Sequence, residues 1–246
     1  MTEMLFQTDS YCKEFEAGVT AVDVENRAVM LDRTAFYPGG GGQPPDSGIL
    51  SAEGLRWPVL RARKAPEGIW HLLDGQDELP RVGAALRGQI DWTRRYQLMR
   101  THTALHILCG VVFRDYGALV TGGDMEPLKG RMDFEFESLT HDFVAVIEQA
   151  VNREVAAARP VRVQILPREQ AFQIPDLIRT RINLLPPEIQ EVRTVELVGL
   201  DLQADGGTHV ANIREVGPVR VVDYKSKGRI NKRIYIELDQ NSSFSE

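Results

Sequence analysis

The stretch Asp91-Trp-Thr-Arg-Arg-Tyr-Gln-Leu-Met-Arg-Thr-His-Thr-Ala-Leu-His-Ile-Leu-Cys-Gly-Val-Val-Phe113 decides the fold, because the hydrophobic period changes within it. From Arg94 onward no Gly or Pro occurs before Gly110. Leu98, Leu105 and Val112, beside Met99, Thr103 and Phe113, recur at helical spacing, and Thr93 reads as the N-cap. Everything before this helix reads as β. Phe15 to Val24 and Arg27 to Leu31 alternate loosely around Glu25-Asn26, which suits a hairpin. Further short strands fit Gly48 to Leu50, Trp57 to Ala62, Ile69 to Leu73 and Ala85 to Asp91. Punctuation at Pro66, Gly75 and Gly83 supports a small barrel-like or sandwich domain. Beyond the helix, a second one spans about Thr140 to Ala157, with Phe143, Val144, Ile147, Val151 and Val155 inward, and stops before Pro160. Strands are expected at Val161 to Leu166, Val195 to Leu200, Val219 to Tyr224 and Ile230 to Leu238. The fold class is therefore α+β. Residues 1–92 form a β-rich N-terminal domain and residues 93–246 an α+β domain with a mostly antiparallel sheet.

A chain of 246 residues can bury a core in one large domain or two modest ones. Hydrophobic residues at 43% and charged residues at 26% place it among globular chains and exclude the disordered class. The start, Met1 to Ser10, lacks a basic segment followed by an apolar run, so no signal peptide is expected. No stretch of about 18 apolar residues occurs, so no membrane span is expected. Two cysteines, Cys12 and Cys109, are too few for a disulfide framework, and the expected setting is the reducing cytoplasm. The net charge of −6 argues against broad nucleic-acid binding, since phosphate contacts supply most of that affinity. A local basic surface remains. Arg220, Lys225, Lys227, Arg229, Lys232 and Arg233 fall within fourteen residues, readable either as the solvated face of a hairpin or as a phosphate-binding patch.

The chemistry rests on three histidines. His102 and His106 lie four apart on the first long helix, so their imidazoles share one face, with Cβ atoms about 5–6 Å apart. A hundred residues later, Asp205-Gly-Gly-Thr-His209 sets a carboxylate and an imidazole four apart around two glycines that permit a tight backbone path. Together they make a nitrogen and oxygen donor set suited to Zn²⁺. The residue after His102 is Thr103, so the Glu that a His-Glu-x-x-His protease uses as its base is absent. Cys109 is too far along the helix axis to share an ion with His102, about 10 Å at 1.5 Å per residue, and reads as a buried small hydrophobe. The run Gly39 to Gly42 lacks the Lys-Ser/Thr ending of a phosphate loop, and no dinucleotide cofactor is expected.

Four segments, taken together, carry a resemblance. They are Thr34-Ala-Phe-Tyr-Pro-Gly-Gly-Gly-Gly-Gln-Pro44, Met99-Arg-Thr-His-Thr-Ala-Leu-His106, Asp205-Gly-Gly-Thr-His-Val210 and Ser226-Lys-Gly-Arg-Ile-Asn-Lys-Arg233. In order and spacing the chain resembles the AlaX family of free-standing alanyl-tRNA editing proteins, related to the editing domain of alanyl-tRNA synthetase. The resemblance implies a zinc-dependent deacylase acting on mischarged alanine tRNA, carrying serine or glycine. Its second zinc motif commonly begins with Cys, whereas this chain has Asp205. The implied ligands are then His102, His106, Asp205 and His209, with the alternative that Asp205 acts as a base beside three histidines. The resemblance also implies a hydroxyl-recognising residue after the zinc-bearing helix, for which Thr121 is the candidate, and a role for Gly39, Gly40, Gly41 and Gly42 at the domain junction. Backbone N–H groups at Gly206 and Gly207 would face the oxyanion of the ester, and Lys225, Lys227, Arg229, Lys232 and Arg233 would meet tRNA phosphates. Two alternatives stay open: an editing-like tRNA-binding module without turnover, and a zinc hydrolase of another small ester or amide.

Overall fold

The computed structural model describes residues 2–180, 185 and 189–240. It divides into two compact units, Met1–Tyr96 and Gln97–Glu246. In the first unit the strands are β1 (Glu3–Met4), β2 (Glu14–Asp23), β3 (Ala28–Leu31), β4 (Arg33–Thr34), β5 (Gly48–Ala52), β6 (Leu55–Ala65), β7 (Gly68–Leu73) and β8 (Ala85–Ile90). Six of them close a barrel in the order β2-β3-β7-β6-β5-β8, with every pairing antiparallel. Alternation of apolar and polar residues gives each strand an inner and an outer face. β8 alternates exposed and buried along its whole length, and Phe15, Val29, Leu31, Phe36, Leu50, Trp57, Ile69 and Leu86 fill the interior. The barrel-like expectation for the N-terminal region holds.

The glycine run belongs to this unit and forms a tight turn. Gly40 and Gln43 exchange backbone hydrogen bonds of 3.0 and 2.9 Å. Gly39, Gly40, Gly41 and Gly42 all adopt positive φ, at 85°, 138°, 57° and 88°, a backbone that side chains resist. At the base of the turn the buried Asp46 carboxylate accepts from the Tyr37 N–H at 2.6 Å and pairs with the buried Arg95.

The remaining elements are α1 (Trp92–Tyr116), β9 (Val120–Glu126), β10 (Lys129–Glu135), α2 (His141–Ala157), β11 (Val161–Pro167), α3 (Arg168–Ala171), β12 (Glu191–Leu197), β13 (Asp201–Ala204), β14 (Val219–Ser226) and β15 (Asn231–Leu238). Two antiparallel sheets form, β14-β15-β10-β9 and β11-β12-β13. The α+β class with antiparallel sheets is as the sequence indicates.

Four details differ from the sequence reading. Asp91, not Thr93, caps α1, because its Oδ1 accepts the Arg94 N–H at 3.1 Å and the helix already begins at Trp92. Residues 98–112 are buried on every side, so α1 has no single inward face. β12 starts earlier than expected, at Glu191, and ends at Leu197. The hairpin of β9 and β10, with the short β13, escapes the hydrophobic pattern because Gly122, Gly123, Asp124, Lys129, Gly130 and Asp133 break its alternation. Thr140, the expected start of the second helix, caps α2 by accepting the Phe143 N–H at 3.2 Å. Among the described residues, no helix is long and apolar enough to cross a membrane.

Candidate metal centre

A 3.6-residue period places His102 and His106 on one stripe of α1, with ring centroids 5.2 Å apart. β13 delivers the other half. Its last residue is followed by Asp205, whose Oδ2 accepts the Gly207 N–H at 2.8 Å and closes a side-chain turn. That turn folds the chain back, so that His209 Nε2 lies 2.9 Å from Asp205 Oδ2. The His209 ring sits 4.3 Å from His102 and 4.7 Å from His106, centroid to centroid. His102 Nε2 lies 3.5 Å from Asp205 Oδ1. One donor atom from each of His102, His106, Asp205 and His209 falls within 4.8 Å of all the others.

Burial sharpens the chemistry. His102, His106 and His209 are 5%, 6% and 3% exposed, whereas Asp205 is only partly buried. Access to the cluster is therefore from the Asp205 side. An added Cβ at the neighbouring Gly206 would meet nothing within 4 Å, so that side has room. Desolvation pushes the His102 imidazole well below its ordinary pKa and His209 down to about 4. Both are neutral bases at pH 7. Burial acts on His106 in the same direction, but the Asp201 carboxylate against its ring wins and raises its pKa. Burial alone would raise Asp205, yet the imidazoles of His102 and His209 facing it hold it well below the usual carboxylate range.

Three imidazoles and a carboxylate fit a borderline divalent ion. In a tetrahedral centre with bonds of about 2.1 Å the ligand atoms sit about 3.4 Å apart, and the His102–Asp205 spacing of 3.5 Å is already there. Among the described residues no other group of three such donors gathers. Cys109 stays outside it: the thiol is buried, its pKa is pushed up by desolvation, and its sulfur accepts from Gln203 Nε2 at 3.4 Å.

Side chains around the cluster were not singled out from sequence. Thr103 Oγ1 lies 3.1 Å from His209 Nδ1 and accepts the Val210 N–H at 3.3 Å. Asp201 Oδ2 lies 3.0 Å from His106 Nδ1. Arg193 on β12 ties down Asp205, donating to its carbonyl at 2.9 Å. A signal for Asp201 did exist: Asp201, Gln203 and Asp205 alternate, and residues two apart share a strand face.

The other candidates lie elsewhere. Thr121 is exposed on β9, and its hydroxyl donates to Asn231 Oδ1 at 2.9 Å. Of the basic residues, two are drawn into the fold and do not offer their charge as the sequence suggests. Lys232 is buried, its Nζ donating to the carbonyls of Gly228 and Arg229 at 2.8 and 2.9 Å. Arg233 is held by Asp133 through bonds of 2.6 and 2.8 Å. Lys225 pairs with Asp223 at 3.0 Å but stays exposed, as do Lys227 and Arg229 at the turn between β14 and β15. The Gly207 N–H is likewise committed to Asp205, while Gly206 is exposed beside it.

Comparison with known proteins adds family context. The family described as tRNA synthetases class II (A) matches residues 4–94, and the threonyl and alanyl tRNA synthetase second additional domain matches residues 192–235. The alanyl-tRNA editing protein AlaX-M of Saccharolobus solfataricus is 41% identical over 237 residues, covering 96% of this chain and 98% of that protein. AlaX-M of Methanosarcina barkeri is 38% identical over 242 residues, covering 97% and 99%. The alanine–tRNA ligase of Pyrobaculum neutrophilum is 35% identical over 227 residues, which is 89% of this chain but 25% of the ligase.

Proposed function

The chain belongs to the AlaX-M alanyl-tRNA editing proteins, and from that premise we propose that it deacylates mischarged alanine tRNA in trans, using Zn²⁺ held by His102, His106, Asp205 and His209. One observation carries the reading: two segments a hundred residues apart converge so that four metal-type donors lie within 4.8 Å, three of them buried. When bound, zinc supplies Lewis-acid polarisation of the ester carbonyl. The protein's own groups do the rest. His102 and His209 present neutral nitrogens, His106 is held by the Asp201 carboxylate, and Asp205 supplies the single negative charge among the four. We favour Asp205 as ligand because its two oxygens already face His102 and His209.

The aminoacyl ester enters beside Asp205, the least buried of the four donors, and the Gly206 N–H is the backbone donor assigned to the ester carbonyl. Thr121 supplies the discrimination. A small apolar pocket rejects an added hydroxyl only about 10²-fold, so preference for serine over alanine requires a polar group that alanine leaves unpaired. The Thr121 hydroxyl, with its proton given to Asn231, keeps lone pairs to accept from a serine Oγ–H.

The test is hydrolysis of alanine tRNA charged with serine, glycine or alanine, by protein as isolated, after chelation and after zinc restoration. We expect release of serine, sparing of alanine, loss of activity on chelation and recovery with zinc. Full activity in demetallated protein would remove zinc from the reading. Retention of tRNA without deacylation in zinc-loaded protein would instead favour a binding module.

A further inference from the structure

Asp201 belongs to no ligand set and is not among the residues that the motif pattern singles out. It is nevertheless buried, 4% exposed, and its carboxylate lies against a proposed ligand. Oδ2 accepts from His106 Nδ1 at 3.0 Å and from Gln203 Nε2 at 2.7 Å. Oδ1 lies 3.5 Å from Arg179 Nε, whose guanidinium stacks 3.7 Å from the Phe113 ring centroid. The backbone is fixed as tightly. A Cβ on Gly110 of α1 would lie 3.0 Å from Asp201 Cβ and 2.9 Å from Leu200 Cγ, so the glycine lets β13 press directly on the metal-bearing helix. Glycine in a helix interior costs about 1 kcal/mol relative to alanine, and this close approach gives it a reason.

We propose that Asp201 is a positioning residue that sets the tautomer of His106. A carboxylate can only accept, so the His106 proton must reside on Nδ1. A neutral imidazole so fixed has its one lone pair on Nε2. Nε2 is then the atom that His106 would present to the metal. Thr103 cannot impose the same choice on His209, because a hydroxyl both donates and accepts. Asp201 thus dictates the tautomer of the histidine it faces. Gln203, two residues along the same strand face, donates to the same oxygen and keeps the carboxylate turned toward His106. Carboxylate partners of metal-bound histidines commonly change metal affinity by about 10–100-fold.

The inference rests on the zinc reading, and the experiment separates the two. Zinc affinity is measured by chelator competition for the parent protein and for Asp201→Asn and Asp201→Leu. Long-range proton–nitrogen NMR correlations report the His106 tautomer in the parent. We expect Nδ1-protonated, Nε2-ligated His106 in the zinc-loaded parent and an affinity about 10–100-fold lower in Asp201→Asn, whose amide can donate to Nδ1 and so favour the wrong tautomer. The visible spectrum of Co²⁺-substituted protein should change in the same variant, which a purely structural role would not require. Parent protein that takes up no zinc at these histidines overturns both readings. Parent protein that binds zinc, with Asp201→Asn equal to it within about twofold, overturns this inference alone. Should both variants fail to fold, the parent decides: His106 ligating through Nδ1 ends the proposal.

Discussion

At the scale of the residue, the proposed discrimination between serine and alanine turns on one hydroxyl whose proton is already committed. The Thr121 hydroxyl gives its proton to Asn231 Oδ1 and can therefore only receive, and a serine side chain is a donor where alanine has none. Replacing Thr121 by Val keeps the shape and removes the acceptor. One ordinary hydrogen bond is worth about 1 kcal/mol net, so kcat/KM for seryl-tRNA should fall about 5–10-fold while that for alanyl-tRNA stays put. Competition kinetics on the two charged tRNAs would measure the ratio, and an unaltered ratio would take Thr121 out of the specificity argument. The four donors themselves were readable from spacing alone, because i and i+4 on a helix and a Gly-flanked turn restrict where side chains can point. Thr103 and Asp201 were not. Alternation placed Asp201 on the face of Asp205, but its contact with His106 and that of Thr103 with His209 span about a hundred positions, which no local pattern encodes. The basic cluster shows the reverse error: composition counts charges, and only packing reveals that Lys232 and Arg233 are spent on carbonyls and on Asp133.

Among the elements, the barrel strands were legible and the hairpin of β9 and β10 was not, and the cause is physical. Barrel strands keep one face dry, so alternation survives in the sequence, whereas β10 packs its Gly130 against Leu105 of α1 and trades side chain for close approach. α1 misleads in another way. Buried all round, it shows no amphipathic stripe, and the histidine pair stands out only as chemistry. Elements of the first unit are also tied by a buried histidine. His71 on β7 lies 2.8 Å from Thr34 Oγ1 on β4 and 3.2 Å from the Val29 carbonyl on β3. Desolvation lowers its pKa from 6.5 to about 4. The folded protein therefore binds fewer protons here than the unfolded chain between those values, and stability must fall as pH drops from 6.5 toward 4. Above 6.5 the contribution is complete. Going from pH 7 to pH 5, the parent should lose about 2 kcal/mol more than His71→Gln, whose amide keeps a donor and an acceptor without titrating. Urea midpoints at the two pH values read this directly, and parallel losses in parent and variant would deny His71 any such role.

For the whole molecule, the difficulty is a protein of net charge −6 that is proposed to hold a polyanion. Counterion release ties affinity to the number of phosphates neutralised, not to net charge, so a few well-placed cations suffice if the remainder of the acidic surface keeps its distance. The structure reduces the basic candidates to Lys225, Lys227 and Arg229, all exposed at the β14–β15 end, since the other two are turned into the fold. A small contact number has a measurable signature. Each phosphate contact contributes about 0.9 to the slope of log affinity against log salt on duplex and about 0.7 on single strands. Replacing Lys227 and Arg229 together by Ala should therefore flatten the slope by about 1.4–1.8 and weaken binding at low salt far more than at high salt. Lys232→Ala should behave differently. It removes ties between a buried ammonium and two carbonyls, so thermal stability drops while the salt slope of the folded fraction stays close to the parent's. If Lys232→Ala flattened the slope and the double variant did not, the phosphate path would run along the buried side of the hairpin, and the assignment of its exposed tip as the tRNA contact would be wrong.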